Sequence, residues 1–379
     1  MRCLGLMSGT SADGVDAVLA EFRGSSHQPR WSLLQHHFVP YPATLQEGIV
    51  RAGQGDPMPA EDWLDLAESL TEVQALAARA CDPKNSAALV GCHGQTVWHR
   101  PPSQERRGAS WQLLQAPLLA RLLNRPVVHD FRAADLALGG QGAPLVPRAD
   151  AALVGGIEGW RGLLNLGGIA NLTMIPPRGG PDRDAPVQGW DCGPANSLID
   201  LAVKRFSQGR LGFDQDGAMA AAGHCHEQTV QTWLQHPYLQ AAPPKSTGRE
   251  LFGRHDLDQR LRQLRGQSDT DVVATLTGFT AALVAQDLEH LQAREGISPV
   301  ELVVAGGGRR NPALMQELRH RCLGLQLRSS DELGLAAEAR EALVFALLAW
   351  WHLRRHPANA PAITGAQRET VLGVLVKPD

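Results

Sequence analysis

The sequence predicts an α/β protein built from two domains, and three observations support that prediction. First, the chain has 379 residues, which is enough for two packed domains. Second, apolar runs and helical patterns in the first third follow the order β-β-β-α-β-α, which is typical of a mixed sheet covered by helices. Third, a strand, a glycine turn and a returning strand occur near residue 10 and again near residue 167, so one architecture is expected twice.

The first domain is expected over residues 1–130. Continuous and alternating apolar runs predict its strands, and apolar residues spaced three and four apart predict its helices. Prolines and glycines mark where these elements end. The expected elements are, in order, a hairpin (Leu4–Ala20), a strand (Trp31–Tyr41), a helix (Pro59–Ala80), a buried strand (Ala87–Cys92), a helix (Trp111–Leu123) and a strand beginning at Val127.

The second domain is expected over residues 131–360, and a tail over residues 361–379 is expected to pack back on the body. The same patterns predict its strands and helices, with a polar loop rich in glycine and proline over residues 177–186. The expected elements are a second hairpin (Arg161–Leu166 and Ile169–Ile175), a strand (Val187–Trp190), a helix (Ala195–Phe206), a strand (Val300–Ala305), a helix opening at Pro312 and an apolar helix (Glu338–Leu353).

The composition excludes several classes of partner. The net charge is −3, so neither a nucleic acid nor an anionic membrane surface is expected to bind. No apolar run reaches the length of a membrane span, and the N-terminus lacks a signal-peptide pattern. Six scattered cysteines without a C-x-x-C pair indicate reduced thiols in a cytoplasmic protein. The oligomeric state stays open, with a homodimer as one alternative.

The turn of the first hairpin is rich in hydroxyl groups and backbone donors. Its glycines allow a positive φ and a close approach to a ligand, and successive N–H groups form an anion-binding nest. Carboxylates beside such a nest suggest a cation between them and a phosphate, hence a magnesium nucleotide with Asp13 and Asp16 near the Mg²⁺. A hairpin turn with local hydrogen bonds only is the alternative. The candidate binding residues are Gly9, Thr10, Ser11, Ala12, Asp13, Gly14, Val15 and Asp16.

Two further glycine turns follow strands in the second domain. One joins the strands of the second hairpin, where the missing side chains suit close approach of a phosphate. The other is a triple glycine between a strand and a helix, which leaves room for a flat or phosphorylated group at the helix N-terminus. A connection packed too tightly for side chains is the alternative. The candidate residues are Gly167, Gly168 and Asn171 in the first of these turns, and Gly306, Gly307, Gly308 and Asn311 in the second.

Two polar segments supply groups for a polyhydroxylated or anionic ligand. His93, Gln95 and Thr96 follow a buried strand, where loops often carry ligand contacts. Arg132 precedes a glycine-rich loop, and its fork-shaped guanidinium suits a carboxylate or a phosphate. Asp135 could accept hydrogen bonds from hydroxyl groups. The alternatives are a polar turn for the first segment and a surface ion pair between Arg132 and Asp135 for the second.

Asp191 ends a predicted strand and precedes a helix that is expected to begin near Pro194. A carboxylate at that place can face a ligand and act as a base. It can equally cap the N-terminus of the helix, where Asp is a favoured residue and Pro is common just inside. From the residue types alone, both interpretations of Asp191 stay open.

Eight motifs in a constant order resemble the anhydro-N-acetylmuramic acid kinases. The opening string Gly-Leu-Met-Ser-Gly-Thr-Ser-x-Asp-Gly-Val-Asp is the most specific, and His-x-Gln-Thr, Asn-x-Gly-Gly-Ile-Ala-Asn and Asp-x-Gly-Pro-x-Asn follow it. The resemblance extends from Leu4 to about the final helix. It implies a two-domain, actin-like (ribonuclease H-like) sugar kinase fold with a central cleft, and the use of ATP and Mg²⁺.

The resemblance also implies a reaction and residue roles. The expected substrate is 1,6-anhydro-N-acetylmuramic acid, which the enzyme opens and phosphorylates on O6 during peptidoglycan recycling. Asp191 would be the catalytic base, although Cys192 stands where the family usually has Thr. Arg132 would bind the lactyl carboxylate of the sugar, and the glycine turns would bind ATP. The remaining residues expected near the sugar are His93, Gln95, Thr96, Asp135 and Glu332.

Two other functions remain open on the sequence. A non-catalytic or chaperone-type actin-like ATPase would share the phosphate turns but would not need Asp191, His93 and Arg132. A glycosidase would need paired carboxylates and would leave the three glycine turns unexplained. The dependence of sugar release on ATP separates the three functions.

Overall fold

The computed structural model describes residues 1–9, 12–103, 105–243, 245–248 and 251–378. The strands are β1 (Arg2–Ser8), β2 (Gly14–Gly24), β3 (Pro29–Pro40), β4 (Leu89–Arg100), β5 (Ala109–Leu113), β6 (Val127–His129), β7 (Trp160–Leu166), β8 (Ile169–Ile175), β9 (Gln188–Pro194), β10 (Pro299–Ala305), β11 (Gln326–Ser329) and β12 (Val374–Val376). The helices are α1 (Ala43–Gln54), α2 (Ala60–Cys81), α3 (Ala116–Leu123), α4 (Ala133–Ala137), α5 (Val146–Val154), α6 (Asn196–Phe206), α7 (Ala218–Ala222), α8 (Glu227–Leu234), α9 (Pro237–Gln240), α10 (Arg254–Gln263), α11 (Asp269–Glu295), α12 (Pro312–Arg321), α13 (Arg340–Leu353) and α14 (Pro361–Thr364). Short 3₁₀ turns lie at Gln215–Gly217, Gly307–Arg310 and Ser330–Leu333. None of the helices in these ranges is both long and apolar enough to cross a bilayer.

The chain divides into two compact units. The first comprises Met1–Gly156 and Gly334–Asp379, and the second comprises Ile157–Leu333. These boundaries differ from the expected domain ends near residues 130 and 360, because α13 returns to the first unit and packs on β1, β2 and β4. The contact is so close that a Cβ on Gly5 or Gly91 would collide with the backbone of α13. A pattern of neighbouring residues could not show this return of a distant helix.

In the first unit, the sheet runs in the order β3–β2–β1–β4–β6–β12, and β5 pairs with β4. Strands β1, β2 and β3 are antiparallel neighbours, whereas β1, β4 and β6 run parallel. The tail contributes β12, which pairs antiparallel with β6. Both α2 and α13 pack on this sheet. Strand β1 is buried along most of its length, as is typical of a strand covered on both faces.

In the second unit, the sheet runs in the order β9–β8–β7–β10–β11. Strands β7, β8 and β9 are antiparallel neighbours, and β7, β10 and β11 run parallel. The long helix α11 is buried on most sides among the other helices and β9. Each unit therefore contains three antiparallel strands continued by parallel ones in the same order. This repeat confirms the expected α/β class with a ribonuclease H-like sheet in each half.

One local expectation is wrong in a way that matters for the site. Strand β4 continues to Arg100 instead of ending at Cys92, and β5 forms where a helix was expected to begin. The two strands pair from Gln95 opposite Leu113 to Arg100 opposite Ala109. Pairing between strands outweighs the apolar spacing that suggested a helix. The polar segment with His93 and Thr96 therefore lies in a strand and not in a loop.

Candidate active site

The turn between β7 and β8 is fastened to the start of α6. The Gly167 carbonyl accepts a hydrogen bond from the backbone N–H of Asn196 at 3.0 Å and another from its side-chain amide at 2.8 Å. The Gly168 carbonyl accepts from the backbone N–H groups of Ala195 at 2.9 Å and Ser197 at 3.0 Å. These bonds fix the expected phosphate turn against the N-terminus of a helix.

The triple-glycine turn after β10 packs directly on that hairpin. Gly306 has a φ of +79°, and a Cβ there would lie 2.7 Å from the side-chain oxygen of Asn165. A Cβ on Gly308 would lie 2.6 Å from the Cβ of Leu166. At Gly307, by contrast, a Cβ would meet no atom within 4 Å. Tight packing therefore explains two of the three glycines, and the third faces open space.

A cavity of ≈ 480 Å³ lies beside this turn within the second unit. Its wall combines backbone, amide and charged groups with one aromatic ring: Phe213 is 60% exposed, so its face is free to stack on a flat group. Asn311 also caps α12, since its side-chain oxygen accepts from the backbone N–H of Leu314 at 3.1 Å. The lining residues are Asn196, Ile199, Asp200, Gly212, Phe213, Asp214, Gln215, Asp216, Gly307, Gly308, Arg310 and Asn311.

Asp191 lies in the middle of β9, opposite Asn171 of β8. Its carboxylate Oδ2 accepts hydrogen bonds from the Ser246 hydroxyl at 2.8 Å and from the backbone N–H of Thr247 at 3.0 Å. Helix α6 begins only at Asn196, and no side chain caps it. The structure therefore rules out the helix-cap interpretation of Asp191. Its carboxylate is held in one orientation on β9, the strand next to β8 of the second hairpin.

The first hairpin is held by the neighbouring strand β4. The Ser8 hydroxyl donates to the Gln95 side-chain oxygen at 2.5 Å, and the Gln95 amide donates to the Gly9 carbonyl at 3.1 Å. Ala12 has a φ of +56° and donates its N–H to the same carbonyl at 3.2 Å. Gln95 is 1% exposed, so its role here is to support the turn. Thr10 and Ser11 lie outside the described residues.

Gly14 does not behave as expected for a phosphate-binding glycine. Its φ is not positive, and a Cβ there would collide with the Val39 carbonyl of β3. Sheet packing therefore explains this glycine, and Val15 beside it is fully buried. Asp13 is exposed, whereas the Asp16 carboxylate lies 2.8 Å from His36 Nε2. Within the described ranges, no group of three or more His, Cys, Asp or Glu side chains could hold a metal ion by itself.

His93 and Arg132 lie side by side in the first unit. Arg132 Nη2 is 3.2 Å from His93 Nε2, and Arg132 Nη1 donates to the Gly142 carbonyl at 2.7 Å. His93 is 4% exposed. Burial, reinforced by the Arg132 charge, lowers the pKa of His93 from 6.5 to about 3. The imidazole is therefore neutral at pH 7, with Thr96 Oγ1 at 3.5 Å from the same ring nitrogen.

Asp135 holds neighbouring segments together, which agrees with neither the expected sugar contact nor the surface ion pair with Arg132. Its carboxylate is fully buried and accepts hydrogen bonds from the Gly142 N–H at 2.8 Å, the Asn359 amide at 2.9 Å and the Thr364 hydroxyl at 2.8 Å. These three donors satisfy both oxygens of the carboxylate within the protein interior. Asp135 therefore neither reaches a sugar nor forms a surface ion pair with Arg132.

Glu332 is exposed in the 3₁₀ turn after β11. Its carboxylate accepts from the Ser329 N–H at 2.9 Å, and Arg328 Nε lies 3.4 Å away. The Ser329 hydrogen bond, followed by Arg328, lowers the pKa of Glu332. The structure therefore places Glu332 at the edge of the second sheet, away from the β8–β9 position of Asp191.

Comparison with known proteins shows the family of this chain. A family profile described as anhydro-N-acetylmuramic acid kinase matches residues 1–378. The chain belongs to the anhydro-N-acetylmuramic acid kinase family. The kinase of that name from Synechococcus sp. (strain CC9902) is 71% identical over 379 residues, and those from Parasynechococcus marenigrum (strain WH8102) and Prochlorococcus marinus (strain MIT 9303) are 68% and 66% identical over 378 residues. In each case 100% of both chains is covered.

Membership of the anhydro-N-acetylmuramic acid kinase family confirms the resemblance and the enzyme class. A kinase is a phosphotransferase, so the use of ATP follows from the family. Membership also decides against a non-catalytic ATPase and a plain glycosidase. Family membership does not by itself identify the individual site residues.

Cys192 stands where the resemblance leads us to expect Thr, and the structure shows its neighbours. Strand alternation places Trp190 and Cys192 on the face of β9 opposite to Asp191. Cys192 is fully buried, and burial, with the Asp287 carboxylate, raises the pKa of its thiol well above the usual value. The Cys192 thiol therefore lies in the buried surroundings of Asp287, on the face of β9 opposite to the Asp191 side chain.

Some residues that line the cavity were not predicted from the sequence. They include Asp200 and Phe213, which lie outside the glycine turns, and Arg310, which follows the triple glycine. The feature of the sequence that could have indicated this wall is Phe213, the single aromatic residue in the polar segment after α6. Glu341, in the first turn of α13, interacts electrostatically with Asp16 and Arg132, among other charges. The feature of the sequence that could have indicated Glu341 is an acidic residue in the first turn of a mostly apolar helix.

The buried, neutral His93 leads to a prediction about acid stability. The unfolded chain binds a proton on this residue near pH 6.5, whereas the folded protein binds it only near pH 3. The free energy of unfolding should therefore fall as the pH drops below 6.5, with a slope of up to about 1.4 kcal/mol per pH unit from this group. In His93→Gln that part of the slope should vanish, as measured by urea unfolding between pH 7 and pH 5. Equal slopes in both proteins would contradict it.

Proposed function

We propose that this protein converts 1,6-anhydro-N-acetylmuramic acid, ATP and water into N-acetylmuramic acid 6-phosphate and ADP. The full-length family match supports this reaction. The observation that carries the mechanism is the Asp191 carboxylate, which is oriented by Ser246 and Thr247 and is not used as a helix cap. The reaction belongs to peptidoglycan recycling, and the cytoplasm is where we expect it to take place.

Asp191 is the general base of the proposed mechanism. The 1,6-anhydro bridge is an internal acetal, so water must add to the anomeric carbon as the bond from that carbon to O6 breaks. Asp191 takes the proton of the attacking water while the ring carbon passes through an oxocarbenium-like state. The released O6 accepts the phosphoryl group, and ADP leaves. Hydrogen bonds on Oδ2 hold the carboxylate in one orientation throughout.

ATP is assigned to the glycine turns that the sequence analysis identified. In the second unit, the cavity beside Gly307 offers an aromatic face and polar groups that suit a base and a ribose. Gly167 and Gly168, in the turn between β7 and β8, are assigned to a phosphate, because glycines allow its close approach. When bound, ATP supplies the phosphoryl group and Mg²⁺ neutralises part of its charge. Asp13 and Asp16 are the residues that we assign to the ATP-bound Mg²⁺, with Asp13 exposed.

Arg132 is assigned to the lactyl carboxylate of the sugar. Arg132→Lys retains the charge but loses the guanidinium fork. Because a hydrogen bond between charged groups contributes about 1.5–3 kcal/mol, KM for the sugar should rise about 10- to 100-fold. KM for ATP should change little. Steady-state kinetics with the sugar and with an analogue that lacks the lactyl group measure this difference. If the wild-type enzyme binds the analogue as well as the sugar, this role of Arg132 is wrong.

The whole proposal is tested by incubating the protein with the anhydro sugar, with and without MgATP, and identifying the products by mass spectrometry. The proposed reaction gives the 6-phosphate with MgATP and no ring-opened sugar without it. Ring-opened, unphosphorylated sugar in the absence of ATP would indicate a glycosidase. ATP hydrolysis without a change in the sugar would indicate an uncoupled ATPase.

A further inference from the structure

A buried ion pair lies behind Asp191 in the second unit. Lys245 Nζ is 2.7 Å from Asp287 Oδ1, and the two side chains are 4% and 5% exposed. The indole N–H of Trp190 donates to the other oxygen, Asp287 Oδ2, at 2.9 Å. Asp287 lies on α11, the long buried helix of this unit. Both oxygens of the Asp287 carboxylate therefore have a partner, Trp190 of β9 for one and Lys245 for the other.

The ion pair connects directly to the proposed base. The carbonyl of Lys245 accepts a hydrogen bond from the backbone N–H of Asp191 at 3.1 Å. The next two residues, Ser246 and Thr247, donate to the Asp191 carboxylate. Because Lys245 is anchored at its side chain and at its carbonyl, the two donors that follow it have little freedom to move away from Asp191.

The energetics of buried charges support a positional role over a stabilising one. Removing two charges from water offsets most of the attraction between them, so a buried pair adds little net stability. Removing one partner is costly, however, because the remaining charge is left buried without compensation. The Asp287 carboxylate therefore holds the Lys245 side chain, and the position of residues 245–247 depends on this ion pair.

We propose that Asp287 is a positioning residue for the reaction: by holding Lys245 and Trp190 together, it keeps Ser246 and Thr247 on the Asp191 carboxylate. This inference rests on the proposed function, in which Asp191 is the base. It goes beyond that function by assigning a role to a buried carboxylate of α11. The buried Cys192 thiol is another neighbour of this carboxylate.

Asp287→Asn tests the proposal, because an amide presents an N–H group or a neutral oxygen to Lys245 and ends the ion pair. We expect kcat to fall about 10- to 100-fold, as is typical when a catalytic group is slightly misplaced. KM for ATP should change less than about 2-fold, since the nucleotide cavity is untouched. The acidic limb of the kcat–pH profile should move to higher pH, because a carboxylate that loses donors binds its proton more tightly.

Two variants of Ser246 and one control variant in another buried ion pair complete the experiment. Ser246 is exposed, so Ser246→Ala should fold even if Asp287→Asn does not, and its acidic limb should move in the same direction. Ser246→Thr keeps the hydroxyl and should restore the profile. Glu301→Gln breaks another buried pair of this unit, with Arg161, and should lower stability without moving the limb.

The outcomes distinguish this inference from the proposed function. If Asp191→Asn is inactive but Asp287→Asn and Ser246→Ala have the wild-type kcat and pH profile, the positioning role is wrong and the base assignment stands. A limb that moves equally in Glu301→Gln would also overturn it, as a general effect of destabilisation. If Asp191→Asn is active, the proposed base itself is wrong.

Discussion

Asp191→Asn is expected to give a folded protein that binds ATP and the anhydro sugar but hardly turns them over. The amide has the size of the carboxylate, so the Ser246 and Thr247 donors keep an oxygen partner. It has no basic oxygen to take the proton from water, and the loss of a general base typically costs about 10²–10⁴ in rate. The loss should reach the upper end of this range, since O6 becomes a phosphoryl acceptor only as the acetal opens.

Calorimetry measures both binding events in Asp191→Asn, and mass spectrometry measures the 6-phosphate. Asp258→Asn is the matched control, because Asp258 is a partly exposed aspartate of the same unit, and its only ion pair within the described residues is with Arg205. It should have wild-type turnover. Near-wild-type turnover of Asp191→Asn would show that another group is the base.

The second large effect is expected at Gly307. A Cβ at this position meets no atom within 4 Å, and the residue lines the cavity assigned to the nucleotide. In Gly307→Leu the added side chain should enter that space without disturbing the protein around it. Overpacking of a filled site costs about 1–3 kcal/mol, so affinity for ATP should fall about 5- to 150-fold.

Two neighbouring variants serve as controls for Gly307→Leu. Gly307→Ala adds only a Cβ and should bind ATP nearly as well as the wild type. Gly308→Ala places a Cβ 2.6 Å from that of Leu166 and should mainly lower the melting temperature. Calorimetric titration with a non-hydrolysable ATP analogue measures the affinity. Unchanged affinity in Gly307→Leu would place the nucleotide elsewhere.

The glycines show how far residue type can predict a site. Gly14 was expected to approach a phosphate, but it packs against Val39 of β3. Gly306, Gly307 and Gly308 have the same expected role, whereas only Gly307 of the three borders open space. A missing side chain has the same appearance in a sequence whether a ligand or a neighbouring strand requires it. Only the surrounding atoms separate the two causes.

The polar residues show the same limit. His93, Gln95 and Asp135 were all expected near the sugar because of their donors and acceptors. In the structure, Gln95 supports the first hairpin and Asp135 holds Gly142 and the C-terminal segment. The identity of Asp191 as the candidate base could be predicted, but its partners Ser246 and Thr247 come from a segment more than fifty residues later in the chain.

Local sequence patterns were enough to predict the α/β class, both hairpins and the glycine turns, and the motifs were enough to predict the kinase family. These features depend on residues that are close together in the chain, where apolar spacing and turn chemistry act. The tertiary structure alone decided that α13 belongs to the first unit, that β4 and β5 pair, and that Asp287 and Lys245 meet behind Asp191. These contacts join residues far apart in sequence, and their energies depend on burial and distance, which no local pattern contains.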